Sequence, residues 1–229
     1  MSIAGKHIKQ KVRGIPIRLL ITAGIFLVSV FLFGLIANEM VIENENQLDK
    51  VVFHALNSIT SPAMTAFMTA ITFFGSTYFL FPAYSLLILY ILFFKKDRQV
   101  SLNVAAVGIT SAIILFTLKF IFHRLRPLDP LIKKVNGFSF PSGHSFSSFT
   151  FFGLLIYIVW NKELDPALQW AAIVFFFLFA CAIAFSRVYL HVHYASDVVA
   201  GFFLCLVWLG LSIWLLPKMD TWLAKHSRA

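Results

Sequence analysis

The sequence predicts an all-α membrane protein: six helices that each cross the bilayer, packed as one bundle, with short interfacial helices on the outer side. Two features of composition and one of pattern point there. The 229 residues are 59% hydrophobic and only 13% charged, more apolar surface than one soluble core of this length uses. Phe alone occurs 27 times, and long stretches carry no charge, which lipid tolerates and water does not. Six such stretches approach the roughly 20 residues that a spanning helix needs. No repeat, low-complexity segment or linker divides the chain, so residues 1–229 read as a single domain.

The first span, 17–37, follows a basic head carrying Lys6, Lys9, Lys11, Arg13 and Arg18. It is too long for a signal peptide and lacks an A-x-A cleavage site, so it is read as uncleaved. Residues 38–75 begin acidic, with Glu39, Glu43, Glu45 and Asp49, and continue as an apolar run broken by Pro62. A seventh span there would reverse the side on which Lys95 falls, so one or two interfacial or re-entrant helices on the outer side are expected instead. The second span, 76–94, ends at Lys95, Lys96 and Arg98; the third, 100–122, ends in "KFIFHRLRP". The fourth, 144–160, opens on "PSGH", the fifth, 168–186, closes on Ser186 and Arg187, and the sixth, 194–216, follows "HVHYASD".

Orientation comes from the basic flanks. A cytoplasmic N-terminus places Lys95, Lys96, Arg98, Lys162, Lys218, Lys225 and Arg228 on the same side, with the C-terminus, as the positive-inside rule requires. Trp160 and Trp170 bracket one cytoplasmic loop, while Trp214 and Trp222 flank the last span, as interfacial aromatics do. Cys181 and Cys205 sit in apolar runs at depths differing by about 9 Å, beyond disulfide reach, and read as packing residues.

The remaining cations gather on the outer face at helix ends. Lys119 and Arg126 close the third span, Pro141 to His144 opens the fourth, and Ser186 to Asp197 joins the fifth to the sixth. One topology puts these three ends at one depth, where they can assemble a single site. Pro141 stops what precedes it and Ser142 caps the fourth span, leaving the amides of Gly143, His144 and Ser145 to face an anion. Gly143 permits close backbone approach. Lys119, Arg126 and Arg187 add full charges suited to phosphate oxygens. His193 and Asp197 are neighbours on one helical face, so the carboxylate can fix the imidazole tautomer and leave the other nitrogen as nucleophile or base. His144 is then a separate acid, suited to protonating a leaving alkoxide.

The motifs K-x6-R-P at Lys119 to Pro127, PSGH at Pro141 to His144 and SR-x5-H-x3-D at Ser186 to Asp197 resemble the three-part signature of the type 2 phosphatidic acid phosphatase superfamily. The likeness is strongest to its six-span bacterial branch, which contains phosphatidylglycerophosphatase B and undecaprenyl-pyrophosphate phosphatases. It implies a multi-pass enzyme of the bacterial plasma membrane, with its site facing outside, acting on a lipid phosphate. It further implies that Lys119, Arg126, Ser142, Gly143 and Arg187 bind the phosphoryl group, that His193 attacks phosphorus with Asp197 orienting it, and that His144 protonates the leaving group. No cofactor, no metal and no nucleic-acid partner is expected; oligomeric state is left open.

Phosphatidylglycerophosphate is the expected substrate, because its terminal monophosphate needs only the core site; undecaprenyl pyrophosphate, or a broad range of lipid phosphates, is the alternative. Lys133 and Lys134, before PSGH, either reach a distal phosphate or solvate their loop. A lipid transporter is the rival class, disfavoured by charge at one surface and by the lack of a repeat. Arg124 and Lys50 read as snorkelling anchors, His123 as spacer, and His191 as no metal ligand, since no further ligand is spaced for zinc apart from Asp197.

Overall fold

The computed structural model describes residues 17–42, 47–133 and 135–226. Lys6, Lys9, Lys11, Arg13, Glu43, Glu45, Lys134 and Arg228 lie outside the described residues, as do the side chains of Arg18, Lys218, Trp222 and Lys225. The described chain is helical throughout its regular structure. Helix α1 (Ile17–Ala37) runs into a π-helical turn (Asn38–Ile42), followed by α2 (Gln47–Asn57), α3 (Pro62–Phe73) and α4 (Thr77–Phe93). Then come α5 (Arg98–Phe122), α6 (Gly143–Trp160), α7 (Pro166–Tyr189) and α8 (Ala195–His226). Six stretches are long and apolar enough to cross a membrane, the second being α3 and α4 taken together as Pro62–Phe93.

Local chemistry sets the boundaries. Ser61 caps α3 by accepting from the Met64 amide, with Pro62 in the first turn, where its missing N–H costs nothing. Asp97 accepts from Val100 N at 3.0 Å, starting α5 two residues ahead of the apolar run. Asp165 accepts from Ala167 N and Leu168 N, which starts α7 at Pro166 rather than 168. Helix α8 continues past 216, because Pro217 removes one backbone bond without ending the helix.

The expected short helices in 38–75 are α2 and α3. Ser61 N donates to Tyr189 Oη at 3.2 Å, and Arg187 Nη1 donates to Thr72 Oγ1 at 2.6 Å. Both ends of α3 are thus tied to the last turn of α7, so α3 lies over that end of the bundle.

Lipid is as apolar as leucine, so the spans associate through close packing and polar contacts rather than by escape from water. The core joins α4, α6, α7 and α8 through Leu80, Phe146, Phe149, Phe152, Ala180, Ile183 and Leu204, with edge-on ring pairs such as Phe152 and Phe179 at 5.3 Å. The start of α8 packs closely on the start of α6 at Gly201, where a Cβ would sit 3.1 Å from both Ser142 O and Phe146 N. Large side chains such as Phe31, Leu86 and Leu178 are exposed on the outside, a surface that lipid can cover and water cannot. Both cysteines are free; Cys205 is buried in the core and Cys181 packs against it. Trp160 and Trp170 meet edge-on across their loop at 5.6 Å.

Candidate active site

Three helix ends meet at one end of the bundle. The α5 helix stops at His123, a left-handed residue with φ +50°. That conformation is unfavourable for a residue with a Cβ, and the His123 ring is held by Phe120 at 5.1 Å and Phe138 at 4.5 Å. The chain beyond this turn brings Phe138 and Ser139 back to the end of α5, where Lys119 Nζ donates to Phe138 O at 2.7 Å and to Ser139 O at 3.3 Å. The start of α6 is anchored to the start of α8 by Ser142 N donating to Asp197 O at 3.0 Å.

His193 is buried in the short connection between α7 and α8. Its Nδ1 lies 3.3 Å from Asp197 Oδ2, and its Nε2 lies 3.0 Å from Arg126 Nη1. The guanidinium can only donate, so Nε2 is the acceptor nitrogen and Nδ1 carries the proton toward the carboxylate. The ring is therefore set up with a lone pair on Nε2, facing a cation where an anionic phosphoryl group would enter. Arg126 is fixed by its own bonds to Gly137 O and Val192 O. Arg187 is almost fully buried, donates to Thr72 Oγ1, and leaves Nε with no partner among the described residues. His144 stands at the α6 N-terminus, within electrostatic range of Arg187, His193, Arg126 and Lys119.

Ser142 is fully buried and accepts from Ser145 N at 3.4 Å, with its own hydroxyl proton left to donate. Ser145's amide is therefore consumed by the cap, contrary to the expectation that it faces an anion. The amides of Gly143 and His144 have no partner among the described residues. Gly143 lies beside Lys119, whose Cε would stand 3.8 Å from a Cβ there. Gly75, in the turn between α3 and α4, has no room for a side chain: a Cβ would meet Ile183 at 2.5 Å and the His144 ring at 3.1 Å.

His144, Gly143 and Ser147 also close one end of an elongated cavity of about 840 Å³ between α4 and α5. Leu80, Phe81, Tyr84 and Ile88 wall it on one side, with Gly108, Ile109, Ala112 and Phe116 on the other. From Thr77 to Ile88 the α4 wall is about 17 Å long at 1.5 Å per residue, close to half of a hydrocarbon core of about 30 Å.

Burial pushes the pKa of His193 down to about 3, outweighing the opposing pull of Asp197. The folded protein thus holds a neutral ring at neutral pH. An unfolded histidine titrates near 6.5, so the unfolded chain binds more protons between the two values. The resulting stability is complete above pH 6.5 and is lost as pH falls toward 3. In detergent, the Tm of the wild type should fall more steeply between pH 6.5 and 4 than that of His193→Gln; parallel curves would show that the ring titrates normally.

A family model described as the PAP2 superfamily matches residues 99–220. Phosphatidylglycerophosphatase B of Bacillus subtilis is 32% identical over 195 residues, spanning 83% of this chain and 92% of its own length. The chain belongs to the PAP2 superfamily. It is a multi-pass membrane lipid phosphatase, hydrolysing phosphate esters. The crystal structure of the Bacillus subtilis PAP2-type phosphatidylglycerolphosphate phosphatase superposes with a TM-score of 0.75 at 26% identity, covering 86% of this chain and 96% of that one. Two further relatives carry other names: a lipid A 4'-phosphatase of Bacteroides thetaiotaomicron, 34% identical over 70% of this chain and 73% of its own, and an undecaprenyl-diphosphatase of Sulfolobus acidocaldarius, 25% identical over 67% and 71%.

Four residues of this PAP2 site carry no signal in the sequence. Ser139 donates to Asp197 Oδ2, Thr72 holds Arg187, and Arg124 with Asp49 braces Asp197 from behind. Arg124 is not a snorkelling anchor: it is buried at 8% exposure, because a carboxylate 75 residues away meets it inside the bundle. Lys50, next to Asp49, is exposed. His191 packs on the Phe53 ring at 4.7 Å, and Lys133 is exposed. Among the described residues, no group of three His, Cys, Asp or Glu gathers in a way that could hold a metal ion.

Proposed function

We propose that this PAP2 phosphatase removes the terminal phosphate of phosphatidylglycerophosphate, leaving phosphatidylglycerol, by way of a phosphohistidine. One observation carries the reading: His144, within electrostatic range of His193 and of Arg187, Arg126 and Lys119, closes one end of an apolar cavity about one leaflet deep. That depth suits the acyl chains of a diacyl lipid better than a polyprenyl chain several leaflets long. The relative at 32% identity bears the corresponding name.

In the proposed reaction His193 Nε2 attacks phosphorus and the ester P–O bond breaks. His144 gives its proton to the departing alkoxide. Asp197 stabilises the charge that the phosphorylated ring acquires. Lys119, Arg126, Arg187, the Gly143 and His144 amides and the Ser142 hydroxyl hold the phosphoryl oxygens. Neutral His144 then takes a proton from water, whose oxygen attacks phosphorus, breaking the P–N bond and releasing inorganic phosphate. The basic flanks support a site on the outer face with both termini in the cytoplasm.

The test is a substrate panel in detergent with EDTA, comparing kcat/KM for phosphatidylglycerophosphate, undecaprenyl pyrophosphate and a short-chain soluble phosphate. The diacyl substrate should lead. Ala112→Trp, which narrows the cavity, should cost the diacyl substrate about 10-fold or more through KM, leaving the short-chain phosphate within about 2-fold. A wild-type preference for the pyrophosphate would replace the substrate named here.

A further inference from the structure

The catalytic carboxylate is shared between two sets of donors. Asp197 Oδ2 takes the His193 contact at 3.3 Å, the Tyr194 amide at 2.9 Å and the Ser139 hydroxyl. Oδ1 belongs to Arg124, whose Nη1 donates to it at 2.7 Å and to Ser196 Oγ at 2.8 Å. The other guanidinium nitrogen, Nη2, donates to Asp49 Oδ2 at 2.9 Å. The guanidinium also lies over the Tyr194 ring, 4.2 Å from its centroid, so the face of the fork is held as well as its edges.

Asp49 makes two further contacts, both with Ser196. Its Oδ1 accepts from Ser196 N at 3.0 Å and its Oδ2 from Ser196 Oγ at 2.7 Å. Helix α8 starts at Ala195, so Asp49 serves as an N-cap supplied by another helix, α2. A single carboxylate from α2 therefore fixes both the first turn of α8, which carries Asp197, and the arginine that grips Asp197 from behind. All three charged groups are nearly inaccessible, at 8%, 1% and 0% exposure for Arg124, Asp49 and Asp197.

We propose that Arg124 is a positioning residue for the reaction and that Asp49 holds it in place. The inference rests on the reading in which His193 attacks phosphorus and Asp197 supports it. A carboxylate free to rotate could offer either oxygen, or neither, to His193 Nδ1. With Oδ1 bound by a two-pronged cation that is itself tied to α2, only Oδ2 faces the imidazole, and the proton stays on Nδ1. Arg124 also keeps two buried carboxylates apart, so that Asp197 keeps its charge for the moment when the ring becomes phosphorylated and cationic. Phosphate binding belongs to other residues, namely Lys119, Arg126 and Arg187, so Arg124 acts on the chemical step and not on affinity.

The experiment compares kcat and KM on one soluble phosphate for Arg124→Met, Asp49→Asn, the double variant and His193→Ala, each with its Tm. Arg124→Met should lower kcat about 100-fold with KM within about 2-fold, the cost of a carboxylate misplaced by about an ångström. Asp49→Asn keeps the shape and most of the hydrogen bonds; it should lose roughly 3- to 10-fold in kcat and remain folded, which preserves the test if Arg124→Met does not. In the double variant one buried anion leaves with the cation, so Tm should recover toward the wild type while kcat stays low. Recovery of kcat together with Tm would make Arg124 a purely structural brace and overturn the proposal. So would unchanged kcat in Asp49→Asn and Arg124→Met alongside an inactive His193→Ala. If His193→Ala itself stays active, the reading beneath the proposal falls with it.

Discussion

His193→Ala should lower phosphate release from a lipid phosphate by at least about 10,000-fold, because in the proposed covalent mechanism it removes the attacking atom and leaves only binding and electrostatics. Geometry singles out this nitrogen. Nε2 is the acceptor of the Arg126 guanidinium, Nδ1 faces a buried carboxylate, and the ring is neutral at working pH. His144 has no carboxylate among its described contacts and stands at a helix N-terminus, a place for a proton donor to the leaving group. Rapid quench with labelled substrate should trap an acid-labile, alkali-stable phosphoprotein mapping to His193, absent in the alanine variant. Label on Ser142 or Ser186 instead would reassign the nucleophile.

Arg187→Lys lowers kcat about 100- to 1,000-fold, the range seen when one donor aimed at transition-state charge is removed. Among the described residues the Arg187 guanidinium meets the Thr72 hydroxyl and no carboxylate, and its Nε is unpartnered. A buried cation kept without a counterion is costly to the empty fold. In the proposed reaction its partner arrives with the substrate. Lysine keeps the charge but loses the fork that spans two phosphoryl oxygens, so charge alone should not restore the rate. Arg187→Met should be inactive yet melt no lower than the wild type, since methionine removes the desolvation cost. A large drop in Tm with activity falling in proportion would show that Arg187 is there for folding.

The spans and the motifs were legible because both are local. A bilayer demands about 20 apolar residues in a row, so span number and approximate limits follow from composition along the chain. Lys119, Arg126, Ser142 to His144, Arg187, His193 and Asp197 lie at helix ends within three short motifs, and a shared topology is enough to bring helix ends to one depth. The extra residues at the start of α7 follow from Asp165, whose capping could have been read in the sequence as well.

What surrounds those residues was decided by tertiary structure. The sequence offers Arg124 as one more basic residue at a span end and Asp49 as one of several acidic residues in an irregular segment. Only the folding of α2 against the start of α8 turns both into buried partners of Asp197, because burying a charge requires its counter-charge to arrive from elsewhere in the chain. Thr72 and Ser139 are ordinary hydroxyls until α3 lies over α7 and the chain before α6 brings Ser139 to Asp197. The cavity between α4 and α5 has no sequence signature either: its walls are the same leucines, phenylalanines and alanines that face lipid elsewhere. The sequence by itself determined the spans and the motif residues proposed for the chemistry, because both are local; the packing of the helices decided which groups surround them and where a cavity opens between α4 and α5.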